Sequence, residues 1–246
     1  LLTQKGICTM RPQIFVAVLI LLMLAMPASL AHAGGVVSVC NEAHLLAAVA
    51  GGGTVTFSCS GTINLTNTIV IAANTTIDGS GRSVTVSGNH NVVVFEVNPG
   101  VTLNLNGLTI ANGSGSSWGG GVYNRGSLSV SNSTFSGNRG DFGGGISNGF
   151  GGTVSVRNTT FSGNNAGSGG GIFYFDGTVT VSNSTFAGNS AGGGGGIYND
   201  GSGTLIVSNS TFSGNSANEG GAIFNFHGSA VVSNSTFSGN SAGNGG

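Results

Sequence analysis

A short repeat runs through the second half of the sequence and restricts the chain to a small set of folds. Its most regular mark is a column of phenylalanines at nearly constant spacing: Phe135, Phe161, Phe186, Phe212 and Phe237. Each has an asparagine three positions before it, another three positions after it, and a valine five positions before it. A repeat of this length indicates a solenoid, in which one unit buries its apolar face only against its neighbours.

Alternating apolar and small polar residues define the secondary structure of each repeat. Segments such as GTVTVSN have the period of two that predicts a strand with one buried face. We predict three short strands in each repeat, in segments of the types GGGIYN, GTVTV and STF. Parallel stacking at about 4.8 Å would align like residues, and it would produce a phenylalanine stack and two asparagine ladders.

The fold class predicted from this pattern is all-β, a right-handed parallel β-helix with coils of about 25 residues and a short N-terminal capping helix. A propeller of the WD40 type is disfavoured because its repeats are longer, about 40–45 residues. We assign residues 61–246 to the β-helix repeats and residues 34–60 to the cap of the first coil. In the cap, Asn41 is expected to begin a helix in which Leu45, Leu46 and Val49 share an apolar face.

Residues 1–33 are interpreted as an upstream extension followed by a secretory signal peptide. An apolar run, Ile14–Leu24, follows a basic residue and precedes an Ala-x-Ala site, which predicts cleavage after Ala33. The run is too short for a membrane span of about 20 residues, although an uncleaved anchor is the alternative. An exported chain would retain Cys40 and Cys59, for which we expect a disulfide, with two unpaired thiols as the alternative.

Composition excludes several classes of protein. The 246 residues include 48 glycines and only 13 charged side chains, and removal of residues 1–33 leaves a net charge of −3. A surface with so few cations cannot displace counterions from nucleic acid. Disorder driven by charge is excluded by the apolar content of 39%, and collagen is excluded because glycine does not recur at every third position. No cofactor is expected.

Variation in repeat length predicts which edge of the solenoid faces a partner. The spacing from each phenylalanine to the next isoleucine, such as Phe135 to Ile146, is identical in every case, whereas the turn between the first and second strands changes in length. Insertions collect where loops are exposed and packing is undisturbed. We therefore expect recognition of a partner at this turn, which contains the most variable side chains of the repeat: Arg125, Phe150, Phe175, Asp176, Asp200, Phe226 and His227.

Asp176, Asp200 and His227 form the one candidate cluster of titratable groups. They occupy the same turn on successive coils, so their side chains are expected to lie about 5 Å apart. Two carboxylates at that distance could bind a cation or share a proton. The alternative, which we favour, is turn chemistry, because both aspartates precede glycine. No metal site is therefore assigned.

Two further features can be interpreted either as functional or as a structural or chance feature of the sequence. Trp118 adds one residue to its connection, and it either binds a sugar or a partner or covers the edge of a coil. The tripeptide Arg139-Gly-Asp141 has the form recognised by integrins, but a match of this length in a glycine-rich chain is more often chance.

The repeats resemble a known group of bacterial surface proteins. Gly220-Gly-Ala-Ile223 and Phe237-Ser-Gly-Asn240 resemble the paired GGA(I/L) and FxxN repeats of polymorphic outer membrane proteins, whose passenger is a right-handed β-helix. The upstream segments Asn74–Gly81 and Val101–Ile110 are similar to the opening coils of the pectate-lyase-like superfamily. The resemblance covers about residues 40–246 and implies fold more than function. The membrane barrel of the first group has no counterpart here, so we expect a fragment of a longer protein.

The resulting hypothesis is a non-enzymatic, exported β-helix passenger or adhesin-like stalk on the cell surface or outer membrane. Its expected partner is a host surface or a polysaccharide, with no nucleic acid, and with membrane attachment only through a missing anchor or barrel. A carbohydrate-active β-helix enzyme is the alternative. It is disfavoured because the chain beyond Ala33 has no lysine and its seven acids are scattered, whereas glycoside hydrolysis needs paired carboxylates. A self-assembling surface protein is a third hypothesis.

Overall fold

The computed structural model describes residues 34–149 and 151–245. The predicted signal peptide, its cleavage site at Ala33 and the variable-turn residue Phe150 lie outside the described residues. The first part of the chain contains β1 (Gly35–Val37), α1 (Glu42–Val49), β2 (Gly53–Phe57), β3 (Gly61–Asn64), β4 (Ile69–Ile71), β5 (Thr75–Asp78), β6 (Val84–Ser87), β7 (Phe95–Val97), β8 (Thr102–Asn106) and β9 (Leu108–Ala111).

The regular coils follow. Two of them contain β10 (Val122–Asn124), β11 (Ser127–Ser131), β12 (Thr134–Ser136), β13 (Arg139–Phe142), β14 (Ile146–Asn148), β15 (Thr153–Arg157), β16 (Thr160–Ser162) and β17 (Asn165–Ser168). The next contains β18 (Ile172–Tyr174), β19 (Thr178–Ser182), β20 (Thr185–Ala187) and β21 (Ser190–Gly193). The last two contain β22 (Ile197–Asn199), β23 (Thr204–Ser208), β24 (Thr211–Ser213), β25 (Ser216–Glu219), β26 (Ile223–Asn225), β27 (Ser229–Ser233), β28 (Thr236–Ser238) and β29 (Ser241–Asn244).

These strands form four parallel sheets. The predicted right-handed parallel β-helix is confirmed. Sheet A has the order β1-β2-β5-β8-β11-β15-β19-β23-β27, and sheet B has the order β3-β6-β9-β12-β16-β20-β24-β28. Sheet C has the order β4-β7-β10-β14-β18-β22-β26, and sheet D has the order β13-β17-β21-β25-β29. Each coil pairs with the next at a nearly constant position of the repeat, so equivalent residues lie side by side.

Sheet D corrects the prediction of three strands in each repeat. Its strands have the sequences RGDF, NAGS, SAGG, SANE and SAGN, which contain few large apolar residues. The alternation that marks a half-buried strand is therefore missing from the sequence. Sheet D begins only at β13, whereas the earlier coils have loops in its place.

The core is built from in-register columns of apolar side chains. In sheet B, the rings of Phe135, Phe161, Phe186 and Phe212 are fully buried. Successive ring centroids are 4.9, 4.6 and 4.7 Å apart, and Phe237 continues the stack at 4.9 Å. Rings at such separations attract each other beyond the free energy gained by burial alone.

Glycine at position 171, directly before a strand of sheet C, is required by this stack. A Cβ atom on Gly171 would lie 2.6 Å from the carbonyl oxygen of Gly196 and 2.7 Å from the ring of Phe186. Both distances are far shorter than van der Waals contact, so only glycine lets the two coils and the ring approach this closely.

The N-terminal helix covers the first coil, but with a face that differs from the predicted one. Asn41 caps the helix by accepting a hydrogen bond from the backbone N–H of His44 at 3.0 Å. Leu45, Ala48 and Val49 are buried, whereas Leu46 is 39% exposed. The prediction that Leu46 shares the apolar face is therefore wrong, because that residue turns away from the coil.

The cap is continuous with the solenoid. Strands β1 and β2, within residues 34–60, are the first two strands of sheet A, and β2 pairs directly with β5 of the following coil. A disulfide joins Cys40 to Cys59, with their Cα atoms 5.7 Å apart. It links the start of the helix to the end of β2.

The two asparagine columns have different physical causes. In the inner column, Asn138, Asn164, Asn189 and Asn215 are fully buried, and each Nδ2 donates to Oδ1 of the next member at 2.8–3.0 Å. This column forms the predicted ladder. The outer column (Asn132, Asn158, Asn183, Asn209 and Asn234) is exposed and lies at φ between 49° and 51°.

The prediction of a second ladder in the outer column is wrong for most of its length. Among the described side chains of that column, Asn158 donates to Asn132 at 3.2 Å, and the others make no such contact with one another. Asparagine occupies this position because it tolerates the left-handed backbone conformation that the bend between sheets A and B requires.

Candidate functional site

The turns between sheet C and sheet A form a continuous edge of the solenoid, which we call the variable-turn edge. Its described residues are 125–126, 149, 151–152, 175–177, 200–203 and 226–228. The strands on either side stay in register while the turns differ in length. The edge therefore tolerates changes that the packed columns do not.

The side chain of Arg125 at this edge forms its contacts within the protein. Its guanidinium forms an ion pair with Glu96 on β7 and lies 5.5 Å from the centroid of the Tyr123 ring. Both charged side chains are about one third exposed, so the pair contributes little to stability. Its effect is to fix the direction of the Arg125 side chain.

Asp176, Asp200 and His227 lie on successive turns, as expected, but the structure gives them different partners. The Asp176 carboxylate accepts from the hydroxyl of Ser202 at 2.7 Å and from the Ser202 backbone N–H at 3.3 Å. The Asp200 carboxylate accepts from the Tyr198 hydroxyl at 3.1 Å. The imidazole Nδ1 of His227 lies 3.3 Å from the Asp200 carbonyl oxygen rather than from its carboxylate.

These contacts favour turn chemistry over a shared cation site. Throughout residues 34–149 and 151–245, no group of three or more His, Cys, Asp and Glu side chains is arranged to hold a metal ion. The two carboxylates instead bind neighbouring hydroxyl and backbone donors, as aspartate commonly does in turns.

The last described turn of the edge carries an exposed aromatic group. Phe226 is 55% exposed. Its ring centroid lies 3.9 Å from that of His227 in an edge-on arrangement and 6.1 Å from that of Phe224. An apolar ring held in position beside an imidazole gives this turn a surface suited to contact with another molecule.

Trp118 belongs to a second line of aromatic rings, the outer aromatic stack. Its ring stacks on Tyr123, with centroids 5.6 Å apart, and on Phe142 at 5.0 Å. The line continues from Phe142 through Phe173, Tyr198 and Phe224, at separations of 4.8, 5.6 and 5.1 Å. Trp118 is 36% exposed. The double stacking favours the covering role over sugar binding.

Sequence reasoning missed this stack, although its signal is present. The residue that follows the buried isoleucine or valine of each sheet C strand is aromatic in most coils, as in Tyr123, Phe173, Tyr198 and Phe224. Burial, followed by the charge and hydrogen bond of Asp200, raises the pKa of the Tyr198 phenol to about 12. The stack therefore stays neutral at physiological pH.

A column of asparagines at the ends of the sheet C strands was not predicted from the sequence, and a tyrosine with a buried hydroxyl interrupts it. At the end of the sheet C strands, Asn124 donates to Asn148, and Asn199 donates to Asn225, both at 2.6 Å. Between them lies Tyr174, whose side chain is fully buried and whose hydroxyl has no hydrogen-bond partner within the described structure. Burial raises the pKa of this phenol.

Two carboxyl groups outside the edge are held in the ionised state. The pKa of Glu42 lies below its usual value, chiefly because the Thr66 hydroxyl donates to its carboxylate at 2.8 Å. The pKa of Asp78 is lowered mainly by hydrogen bonds from Ser80. A general acid needs the opposite shift, so both groups are suited to structural roles.

Comparison with known proteins agrees with the architecture. Residues 95–246 match the sequence profile of the family described as a right handed beta helix region. Because the match covers more than half of the chain, the protein belongs to the right-handed β-helix family. A search of curated proteins found no significant match. The helix in the described part of the chain is too short to cross a membrane.

Proposed function

We propose that the chain is the passenger of an exported, surface-displayed protein, a non-enzymatic rod that presents its variable-turn edge to a partner. The observation that carries the proposal is the contrast between columns that remain in register and turns that vary in length and side chain. Variation confined to one edge of a rigid scaffold is the arrangement in which loops recognise partners.

The nature of the edge supports binding rather than catalysis. The Asp176 and Asp200 carboxylates are engaged with Ser202 and Tyr198, and Phe226 offers an exposed ring. A glycoside hydrolase would instead need two carboxyl groups flanking one bond, with the pKa of one of them raised.

The more specific part of the proposal concerns location. The apolar run before Ala33 supports export, and the GGAI and FSGN segments support a likeness to polymorphic outer membrane proteins. We place the rod at the bacterial cell surface on these grounds. Its partner is a host surface or a polysaccharide.

Retention of protein-coated beads on cultured epithelial cells tests this function. We expect a variant with Asp176→Ser, Asp200→Ser, Phe226→Ser and His227→Ser to lose most of its retention. A matched control carries Ser155→Thr and Thr180→Ser on the outer face of sheet A and should bind as the parent does. Equal retention of the parent and the turn variant would contradict the proposal. Cleavage of a polysaccharide panel by the purified parent would do so as well, because it would indicate an enzyme.

A further inference from the structure

A cleft of about 530 Å³ lies where sheet D begins, apart from the variable-turn edge. In the coils before β13, loops connect sheet B to sheet C, and from β13 onward a strand takes the place of these loops. The loop of residues 112–121 touches β13 through two isolated bridges, Ser114 to Arg139 and Trp118 to Phe142. Between these bridges the loop leaves the strand, and the cleft opens over the middle of β13.

The strand presents one positive and one negative group to this cleft. Arg139 and Asp141 are exposed, and the buried Gly140 lies between them. Side chains two positions apart on a strand point the same way, about 7 Å from each other. In the part of the chain that the structure describes, neither side chain forms an ion pair or a hydrogen bond, and the ion pair found there joins Arg125 to Glu96.

The neutral lining is also free to bind. Four polar residues line the cleft, and their side chains make no hydrogen bond within the described structure: Thr68, Asn91, Ser114 and Ser116. Most ligand sites are mainly apolar with a few polar groups, whereas in this cleft the polar surface is about as large as the apolar surface. Such a lining suits a ligand that is itself rich in hydroxyl groups.

The apolar side chains of the lining are two adjacent valines. Val92 and Val93 line the same cleft and are half-buried. They offer an apolar surface that can contact a methyl group of a ligand. The volume of about 530 Å³ is sufficient for one sugar residue with its substituents.

From this combination we propose that the cleft binds an acidic sugar that carries an N-acyl group, as sialic acids do. The Arg139 guanidinium binds the sugar carboxylate in a bidentate pair. Asp141 accepts hydrogen bonds from the hydroxyl groups of the sugar, the neutral side chains complete the polar contacts, and the two valines contact the acyl methyl. The site is separate from the variable-turn edge, so it does not depend on the function proposed for that edge.

Calorimetric titration of the protein with sialyllactose, lactose and digalacturonate tests the assignment. We expect saturable binding of sialyllactose only, weakened about tenfold or more by Arg139→Gln and likewise by Asp141→Asn. Arg157→Gln, which removes an exposed arginine from β15, should bind as the parent does. Because residues 139, 141 and 157 are exposed, all three variants should fold, which their melting temperatures will verify.

Several outcomes overturn the proposal. One is the absence of sialyllactose binding by the parent, and another is equal binding by the parent and the Arg139→Gln variant. Preference for digalacturonate would assign the cleft to uronate polymers instead. Binding of an acidic tetrapeptide in place of the sugar would assign it to a peptide. The fourfold turn variant described above should bind sialyllactose normally, so failure at one site is distinguishable from failure at the other.

Discussion

The side-chain oxygen of Asn215 accepts two hydrogen bonds from Asn189, one from Nδ2 at 2.9 Å and one from the backbone N–H at 3.0 Å. The Nδ2 of Asn189 also donates to the carbonyl oxygen of Phe161 at 3.0 Å. The side chain of each such asparagine therefore satisfies two backbone groups of the preceding coil, as Asn189 does for the Asn164 N–H and the Phe161 carbonyl, and it also bonds its neighbour in the column. Polar groups buried between coils would otherwise remain without partners, at a considerable loss of stability.

Asn189→Ala should destabilise the protein by about 3 kcal/mol or more, because it leaves several buried donors and acceptors without partners. Asn183→Gly, in the exposed outer column, should change stability by less than about 1 kcal/mol, since glycine adopts the left-handed conformation freely. Denaturant unfolding of both variants provides the comparison. Equal losses would contradict the distinction between the two columns.

Gly171→Ala should destabilise the protein by about 2 kcal/mol or more, because the added methyl group clashes with the Gly196 carbonyl oxygen and the Phe186 ring. Ala222 occupies the same position two coils later, and Ala222→Gly is the control. It should cost only about 1 kcal/mol, chiefly from backbone entropy. A Gly171→Ala variant that melts at the parental temperature would show that the coils can separate at this point without loss.

Stability should decrease in acid through Glu42 and Asp78. Both groups have a folded-state pKa below the ordinary values of 4.5 and 3.8, so each stabilises the fold above its unfolded pKa. That contribution is lost as the pH falls through the folded-state pKa. Melting temperatures measured from about pH 7 to about pH 3 should therefore fall, and Glu42→Gln should flatten part of the decrease. A Glu42→Gln profile parallel to that of the parent would exclude Glu42 as a source.

Tyr174→Phe should leave the protein equally stable or make it more stable by about 1 kcal/mol, because it removes a buried hydroxyl that has no partner. The ring itself fills the column and is retained in this variant. Tyr174→Ala is the control, and it should destabilise the fold by about 3–5 kcal/mol through the cavity that it creates. Calorimetric melting distinguishes the two. Destabilisation by Tyr174→Phe would indicate that the hydroxyl has a partner such as an ordered water.

Parts of the fold that repeat large side chains could be predicted from the sequence. The phenylalanine column of sheet B and the valine and leucine columns of sheet A are visible because alternation and spacing agree across coils. The strands of sheet D were missed because serine, alanine and glycine carry no such alternation. Leu46 was misplaced because a helix as short as α1 allows more than one apolar face.

The functional residues were less accessible to prediction. Asp176, Asp200 and His227 were expected on neighbouring turns, and they lie there, but their hydrogen-bond partners depend on side-chain directions that spacing alone does not determine. The cleft beside Arg139 and Asp141 arises from the departure of the 112–121 loop from β13. The sequence marks that loop only by one additional residue near Trp118, and the charged pair looked like a chance tripeptide.

The in-register columns also affect how the gene that encodes these repeats can gain or lose a coil. A segment that encodes one coil presents the same upper and lower surfaces as the segments beside it, so duplication or deletion of one segment joins surfaces that already match. Each event would alter the reach of the molecule by about 4.8 Å without requiring any new packing. Recombination between near-identical segments therefore offers a direct genetic route to rods of different length.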